Sequence, residues 1–364
     1  MPRPPVDLRC LLDPNKVLPV HLSRQDRDPA DLPPWSVELH LTSACNYRCG
    51  HCSYGGRNRV GRRSVPASRV AALLDDLTGP CRPRGLYFSG GGEPTALKDW
   101  DRHVERVIAA GIDTALVTNG SLLREAHLGV VGRLRYIAVS IYSPRPEAYA
   151  AITGGSAFKA QFGLPGRIRA VSEAVVIGAR NVINSRNHDH IPELYAAAIA
   201  AGYDYLICIP QIDYEKRGLA LSEAEIETLM RRCAAADLDP ARTNLQRLLV
   251  SRFGYYQKPG AGACGSDCTA VRLRTNAFVN YDGGVWLCQP DIGNAELCIG
   301  NVNEQGFAAI WNGPRHREVV EKLCARWRAG ACENCRAMAL NRAVEAYEAA
   351  PANQPLTLVK DSFL

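Results

Sequence analysis

The chain has 364 residues, is 46% hydrophobic and 22% charged, and carries a formal net charge of +6. This is ordinary globular composition, long enough for a barrel-sized domain with a smaller one attached. No apolar run reaches membrane-spanning length, and the start, Met1 to Asp7, lacks the apolar core of a secretion signal, so the reading is a cytoplasmic protein with no membrane contact. Arginines are spread along the chain instead of gathered in a block, which argues against nucleic acid as a partner. Fourteen cysteines in a chain kept reduced point to metal binding before disulfides.

Residues 1–35, rich in proline and charge, read as an extended arm. Six strand-like runs follow: Ser36–Thr42, Gly85–Ser89, Thr114–Thr118, Tyr136–Ile141, Arg180–Asn184 and Tyr205–Ile209. Between them lie amphipathic stretches, Ser68–Leu77, Trp100–Ala110, Ile168–Gly178 and Ile191–Ala201 among them. Alternating apolar strands and helices predict an α/β fold with a parallel sheet. Six units over residues 36–215 make a partial (β/α)6 barrel, with its chemistry at the C-terminal strand ends. Residues 216–260 read as a helical connector, opened by a helix cap at Ser222. The composition then changes: seven of the fourteen cysteines fall between Cys264 and Cys335. Residues 261–340 read as a small α+β domain and residues 341–364 as a terminal helix and tail.

The motifs sit at the predicted strand ends. Cys45-x3-Cys49-x2-Cys52 follows the first strand. Three thiolates on one loop leave one corner of a four-iron cluster open, since such a cluster takes four cysteines; a three-ligand zinc site is the plainer reading. The second strand runs into Ser89-Gly90-Gly91-Gly92-Glu93-Pro94, where glycines let backbone approach a ligand closely. The third strand ends in Thr118-Asn119-Gly120, the fourth at Ser140, the fifth at Asn184 and the sixth at Cys208-Ile209-Pro210-Gln211. Further on stand Cys268-x14-Gly283-x4-Cys288 and Cys332-x2-Cys335, with Tyr281-Asp282-Gly283-Gly284 as a hairpin turn between the first pair. Four thiolates in two pairs suit a structural zinc as well as a cluster.

In this order and spacing, the motifs resemble those of the radical S-adenosylmethionine (SAM) enzymes with a C-terminal SPASM/twitch extension. The resemblance implies that Cys45, Cys49 and Cys52 hold a [4Fe–4S] cluster that binds SAM. It places Gly91, Gly92 and Glu93 at the methionine amino group, Ser140 at the carboxylate and His51 near adenine, with Thr118, Asn119 and Asn184 as further cofactor contacts. Many relatives carry an arginine about a dozen residues after the serine; here that region reads Ala151-Ile152-Thr153-Gly154. Cys268, Cys288, Cys332 and Cys335 would hold one auxiliary [4Fe–4S] cluster, with Cys264, Cys298 and Cys324 left over for a second site, a redox thiol or core packing. A flavodoxin or ferredoxin is the expected reductant. Arg57, Arg59, Arg62 and Arg63 form either a solvated loop or a docking surface for such an acidic donor.

The implied chemistry is reductive cleavage of SAM and abstraction of a hydrogen atom from the substrate. Only 44 residues precede Cys45, which favours a small polar molecule, such as a sugar or aminocyclitol, over a ribosomal precursor peptide; a plain iron–sulfur electron carrier is the third reading. Oxidation would need a base, for which Asp213 and His188 are candidates. Epimerisation would need a thiol to return a hydrogen atom, for which Cys208, Cys264 and Cys298 are candidates. Asn184, Gln211 and Asp213 are read as ligand contacts, and Asp189 as a helix cap.

Overall fold

A computed structural model describes residues 14–54, 61–212, 217–251, 267–332, 335, 337–350 and 363. Strands β1 (Ser36–Leu39), β2 (Gly85–Phe88), β3 (Asp113–Thr118), β4 (Tyr136–Ser140), β5 (Val176–Ile183) and β6 (Tyr205–Pro210) pair in parallel, each with the next in sequence. The first and last of them do not meet, so the barrel stays open, as expected. The outer edge of β6 is covered by the chain at 242–244. There Leu206 N–H donates to the Arg242 carbonyl at 2.9 Å, and the Asn244 amide brackets Cys208, accepting from its N–H at 2.8 Å and donating to its carbonyl at 2.7 Å. An unpaired strand edge invites association, and this cover removes it.

Along the chain, α1 (Leu18–Arg24), α2 (Ala67–Thr78), α3 (Trp100–Ala109), α4 (Glu125–Val131), α5 (Pro146–Thr153), α6 (Phe158–Arg169) and α7 (Ile191–Ala200) surround the parallel strands. Helix α2 shows why they pack: Val70, Leu73, Leu74 and Leu77 recur at helical spacing and are all buried. They meet Val37, Leu39, Leu86 and Phe88 from the strands in one core. Each fully buried aliphatic side chain contributes about 1.5–3 kcal/mol. The opposite face of the sheet carries aromatics. Phe363 packs between Tyr87 and Tyr136, with ring centroids 4.5 and 5.2 Å apart.

Two expected elements differ. The arm is not wholly extended: it holds α1, and Val17 and Leu18 pack on Val344 of the last helix. The helix placed at Ile168–Gly178 lies upstream as α6, and Val176–Gly178 already belongs to β5. Pro165, Gly163 and Gly166 inside α6 disguised it, because all three residues disfavour helix interiors.

In the connector, α8 (Glu223–Ala234) opens with a capping box in which Ser222 and Glu225 satisfy each other's backbone N–H groups; α9 (Leu245–Val250) follows. Beyond it, α10 (Thr269–Arg272) leads into β7 (Asn276–Val279), β8 (Gly284–Trp286) and β9 (Gly300–Asn301), then α11 (Phe307–Asn312), α12 (Pro314–Arg328) and α13 (Met338–Glu348). The predicted hairpin is β7–β8, antiparallel, with Gly283 at φ 86° in its turn. Strand β7 also adds in parallel to the free edge of β1, giving one nine-stranded sheet in the order β6-β5-β4-β3-β2-β1-β7-β8-β9. The α+β extension therefore grows out of the barrel sheet beside the strand that feeds the first cysteine loop.

Candidate active site and auxiliary cysteine site

The loop after β1 is built on α5. Arg48 N–H donates to the Thr153 carbonyl at 3.0 Å and Gly50 N–H to the Ile152 carbonyl at 3.1 Å, while the Tyr149 hydroxyl donates to that of Tyr47 at 2.7 Å. The stretch where many relatives place an arginine thus serves as the bed of the cysteine loop. A tight turn, Cys52 N–H to Cys49 carbonyl at 3.2 Å, brings the three half-buried thiols within electrostatic reach of one another. Burial pushes the Cys45 thiol up to about 11 and raises that of Cys49 further, so loading a metal must displace protons.

Gly92 is needed for closeness to the chain's own backbone: a Cβ there would lie 2.3 Å from the Ala44 carbonyl oxygen. At Gly91 it would meet the Tyr281 ring at 2.5 Å, so the β7–β8 turn rests on this loop. The Glu93 carboxylate, fully enclosed, accepts four hydrogen bonds. Oε1 takes the Thr95 N–H at 3.0 Å and the hydroxyls of Thr95 and Thr118 at 2.5 Å each; Oε2 takes the Asn119 N–H at 2.7 Å. Burial raises its pKa, and these four donors oppose that rise. Asn119 in turn donates to Asn46 Oδ1 at 2.9 Å inside the cysteine loop. Glu93, Thr118 and Asn119 therefore lock the loops after β1, β2 and β3 into one unit.

His51 is buried against Tyr142, ring centroids 4.3 Å apart, and its Nδ1 has no partner among the described residues. Burial, with the Arg217 and Arg186 guanidinium groups nearby, lowers it to about 4, so it is a neutral ring at physiological pH. The Ser140 hydroxyl meets Tyr142, and Arg180 stands in register beside Ser140 on β5.

Other expected residues are placed differently. Asn184 closes an Asx turn: its Oδ1 accepts the Arg186 N–H at 2.9 Å and its Nδ2 donates to the Val182 carbonyl at 3.2 Å. Gln211 donates to the Ile212 carbonyl. Asp189 caps nothing and instead lies 3.0 Å from His190 Nδ1. His188 sits between the Ser185 carbonyl and Glu225 of α8. Cys208 is fully buried in the core between sheet and helices, and burial pushes its thiol well up. Cys298, in the loop before β9, directs its thiol to the Gly300 carbonyl at 3.2 Å. Asp213 and Cys264, with Arg57 and Arg59, lie outside the described residues.

Residues that the motifs did not flag complete the site. Arg217, beyond β6, donates to the carbonyls of Gly50 and Cys52 at 2.7 and 2.9 Å and clamps the cysteine loop. Gln161 of α6, fully buried, ties the Asn119 and Ser140 carbonyls together. No spacing rule points to either.

In the extension, Cys268 stands just before α10, Cys288 follows β8, and Cys332 and Cys335 precede α13. Cys288 feels Cys268 and Cys335, and Cys335 feels Cys268 and Cys332, so the four thiols share one neighbourhood. Cys324, buried on α12, lies beside Cys268. Among the described residues no three His, Cys, Asp or Glu side chains converge on a single ion. A cubane makes a different demand, one thiolate per iron. Three thiols within electrostatic reach of one another on one loop and four in one neighbourhood around the hairpin fit a three-ligand and a four-ligand cluster.

Two family profiles match the chain: residues 39–198 match the radical SAM superfamily and residues 268–336 the SPASM iron–sulfur cluster-binding domain. The chain belongs to the radical SAM superfamily and carries a SPASM domain, and this family membership brings a SAM-binding [4Fe–4S] cluster, auxiliary iron–sulfur ligation and SAM. It is 26% identical over 315 residues to the mycofactocin maturase MftC of Mycolicibacterium smegmatis, covering 83% of this chain and 75% of that protein. It is 25% identical over 341 residues to the PqqA peptide cyclase of Rhizobium meliloti, covering 86% and 85%. A similar fold, TM-score 0.59 at 16% identity over 85% of this chain and 70% of the other, is that of Streptococcus suis SuiB bound to the precursor peptide SuiA. No helix among the described residues is long and apolar enough to cross a membrane.

Proposed function

We propose that this radical SAM enzyme is a maturase acting on a ribosomally made precursor peptide. The observation that carries the reading is the breadth of the two matches: proteins named as a maturase and a peptide cyclase align with 83% and 86% of this chain, through both the barrel and the SPASM domain. The small polar substrate expected from the sequence loses support at its own residues, because the amides of Asn184 and Gln211 are turned onto backbone.

When bound, the cluster and SAM supply a 5′-deoxyadenosyl radical that can take a hydrogen atom from an unactivated C–H. The chain's own part is to position and to exclude water. Asn119 and Arg217 hold the cysteine loop, Glu93 ties the glycine loop to Asn119, and His51 packs on Tyr142 beside them. In this reading Ser140 and Arg180 face the cofactor carboxylate in place of the arginine absent after Ser140, His188 is a base candidate of the loop after β5, and a flavodoxin or ferredoxin is the reductant.

The test is anaerobic incubation of the reconstituted enzyme with SAM, a reductant and size-separated fractions of an extract from the source organism. A peptide fraction should stimulate 5′-deoxyadenosine formation and yield a peptide of altered mass, with prior protease treatment abolishing both. Stimulation by the small-molecule fraction alone, insensitive to protease, would return the substrate to the sugar class.

A further inference from the structure

The auxiliary thiols are accompanied by an amide donor and a cation that no cysteine motif includes. Asn341 lies on α13 and is fully enclosed. Its Oδ1 accepts the Ala270 N–H at 3.0 Å and its Nδ2 stands 3.3 Å from Cys268 Sγ. A backbone N–H can only donate, so the carbonyl end of the amide has to face Ala270. The NH2 end is thereby committed to the sulfur. The cation is Arg326 of α12. Asp291, almost fully buried, grips its guanidinium through both carboxylate oxygens at 2.9 and 2.5 Å, and the Cys332 thiol lies within electrostatic reach of that guanidinium.

We propose that Asn341 and Arg326 are positioning residues that set the reduction potential of the auxiliary cluster. Reduction adds an electron whose charge spreads onto the ligand sulfurs. An N–H aimed at a sulfur is therefore worth more in the reduced state than in the oxidised one and raises the potential. Cys268 receives such a donor, and Cys332 has a cation beside it, which favours the added negative charge in the same direction; Asn341 is pinned from behind by Ala270 and Arg326 by Asp291. A buried amide that merely stitched α13 to α10 would need only its contact with Ala270. The proposal stands on the auxiliary cluster and is independent of whether the substrate is a peptide.

The experiment uses the full chain with Cys45, Cys49 and Cys52 replaced by alanine, so that only the auxiliary site loads iron. Its midpoint potential is read by EPR-monitored titration, alone and with Asn341→Leu or Arg326→Gln added. The expected result is a shift to more negative potential in each, and a larger one in the combination, at unchanged iron content. Unchanged potentials at full iron content overturn the proposal. Zinc in place of iron overturns the auxiliary-cluster assignment beneath it, a distinguishable outcome. Should Asn341→Leu fail to load iron, resonance Raman on the parent chain decides: Fe–S stretching bands that shift on transfer to D2O support the hydrogen bond, and bands that stay fixed contradict it.

Discussion

Glu93 illustrates how a motif residue can serve its site from behind. Its carboxylate accepts from Thr95, Thr118 and Asn119. Glu93→Gln keeps the shape but must turn an NH2 group toward either the Asn119 or the Thr95 N–H, two donors facing each other. An unsatisfied buried donor costs about 1–3 kcal/mol. The variant should therefore melt several degrees lower and bind SAM more weakly in equilibrium dialysis; wild-type values for both would contradict the strut. A second residue makes a pH prediction. His316 is fully buried with Nδ1 2.7 Å from the Trp311 carbonyl, and burial, with Arg274 nearby, lowers its pKa to about 3. The unfolded chain binds a proton there near the ordinary histidine value of 6.5, so between these two values stability falls as pH falls. The slope is about 1.4 kcal/mol per pH unit. His316→Gln keeps a donor and cannot titrate, so its melting temperature should decline less steeply below pH 6.5 than the wild type's. Parallel lines would contradict this.

At this scale the cysteines were legible because thiolate spacing is a chemical requirement. The struts were not. Arg217 and Gln161 act on backbone carbonyls that only the folded chain brings near them. Asn341 did leave a trace, a polar residue in the buried stripe of Met338, Asn341 and Val344, which an apolar helix face does not explain.

Among the elements, the loop after β2 is constrained most tightly. Gly92→Ala would drive a Cβ into the Ala44 carbonyl, which cannot move without shifting the cysteine loop. Overpacking of this kind costs about 1–3 kcal/mol, and the variant should lose SAM binding while keeping a cooperative melt. Intact SAM affinity would show the loop to be looser than drawn. The start of α8 allows a milder test: Ser222→Ala breaks the capping box and should lower stability by about 1 kcal/mol in urea titration, with no effect on cluster content. Strand positions were readable to within a few residues because each parallel strand is a short apolar run ending in a chemical motif. Helix α6 was not, since Gly163, Pro165 and Gly166 disfavour a helix interior while the helix is held by its buried Gln161, Leu164, Pro165 and Ile168. The close approach read into Gly91-Gly92 is present in the fold, to Tyr281 and Ala44.

For the whole molecule, the joining of β7 to β1 matters most. It makes the SPASM hairpin a continuation of the barrel and sets the Tyr281 turn on the glycine loop, so the two cysteine sites share one rigid sheet. That pairing crosses some 240 residues of sequence, from Ser36 to Asn276, and no local pattern announces it. The substrate class was likewise beyond the strand-end polar residues, because amides such as that of Asn184 look alike in sequence whether they bind ligand or close a turn. The central claim is a chain with one three-thiolate cluster site and one four-thiolate site. It is tested most directly by iron and sulfide content, with EPR, of the anaerobically reconstituted protein and of the Cys45, Cys49, Cys52→Ala triple variant. About eight irons falling to about four is the predicted result. About four falling to none would leave the SPASM cysteines without iron and contradict it.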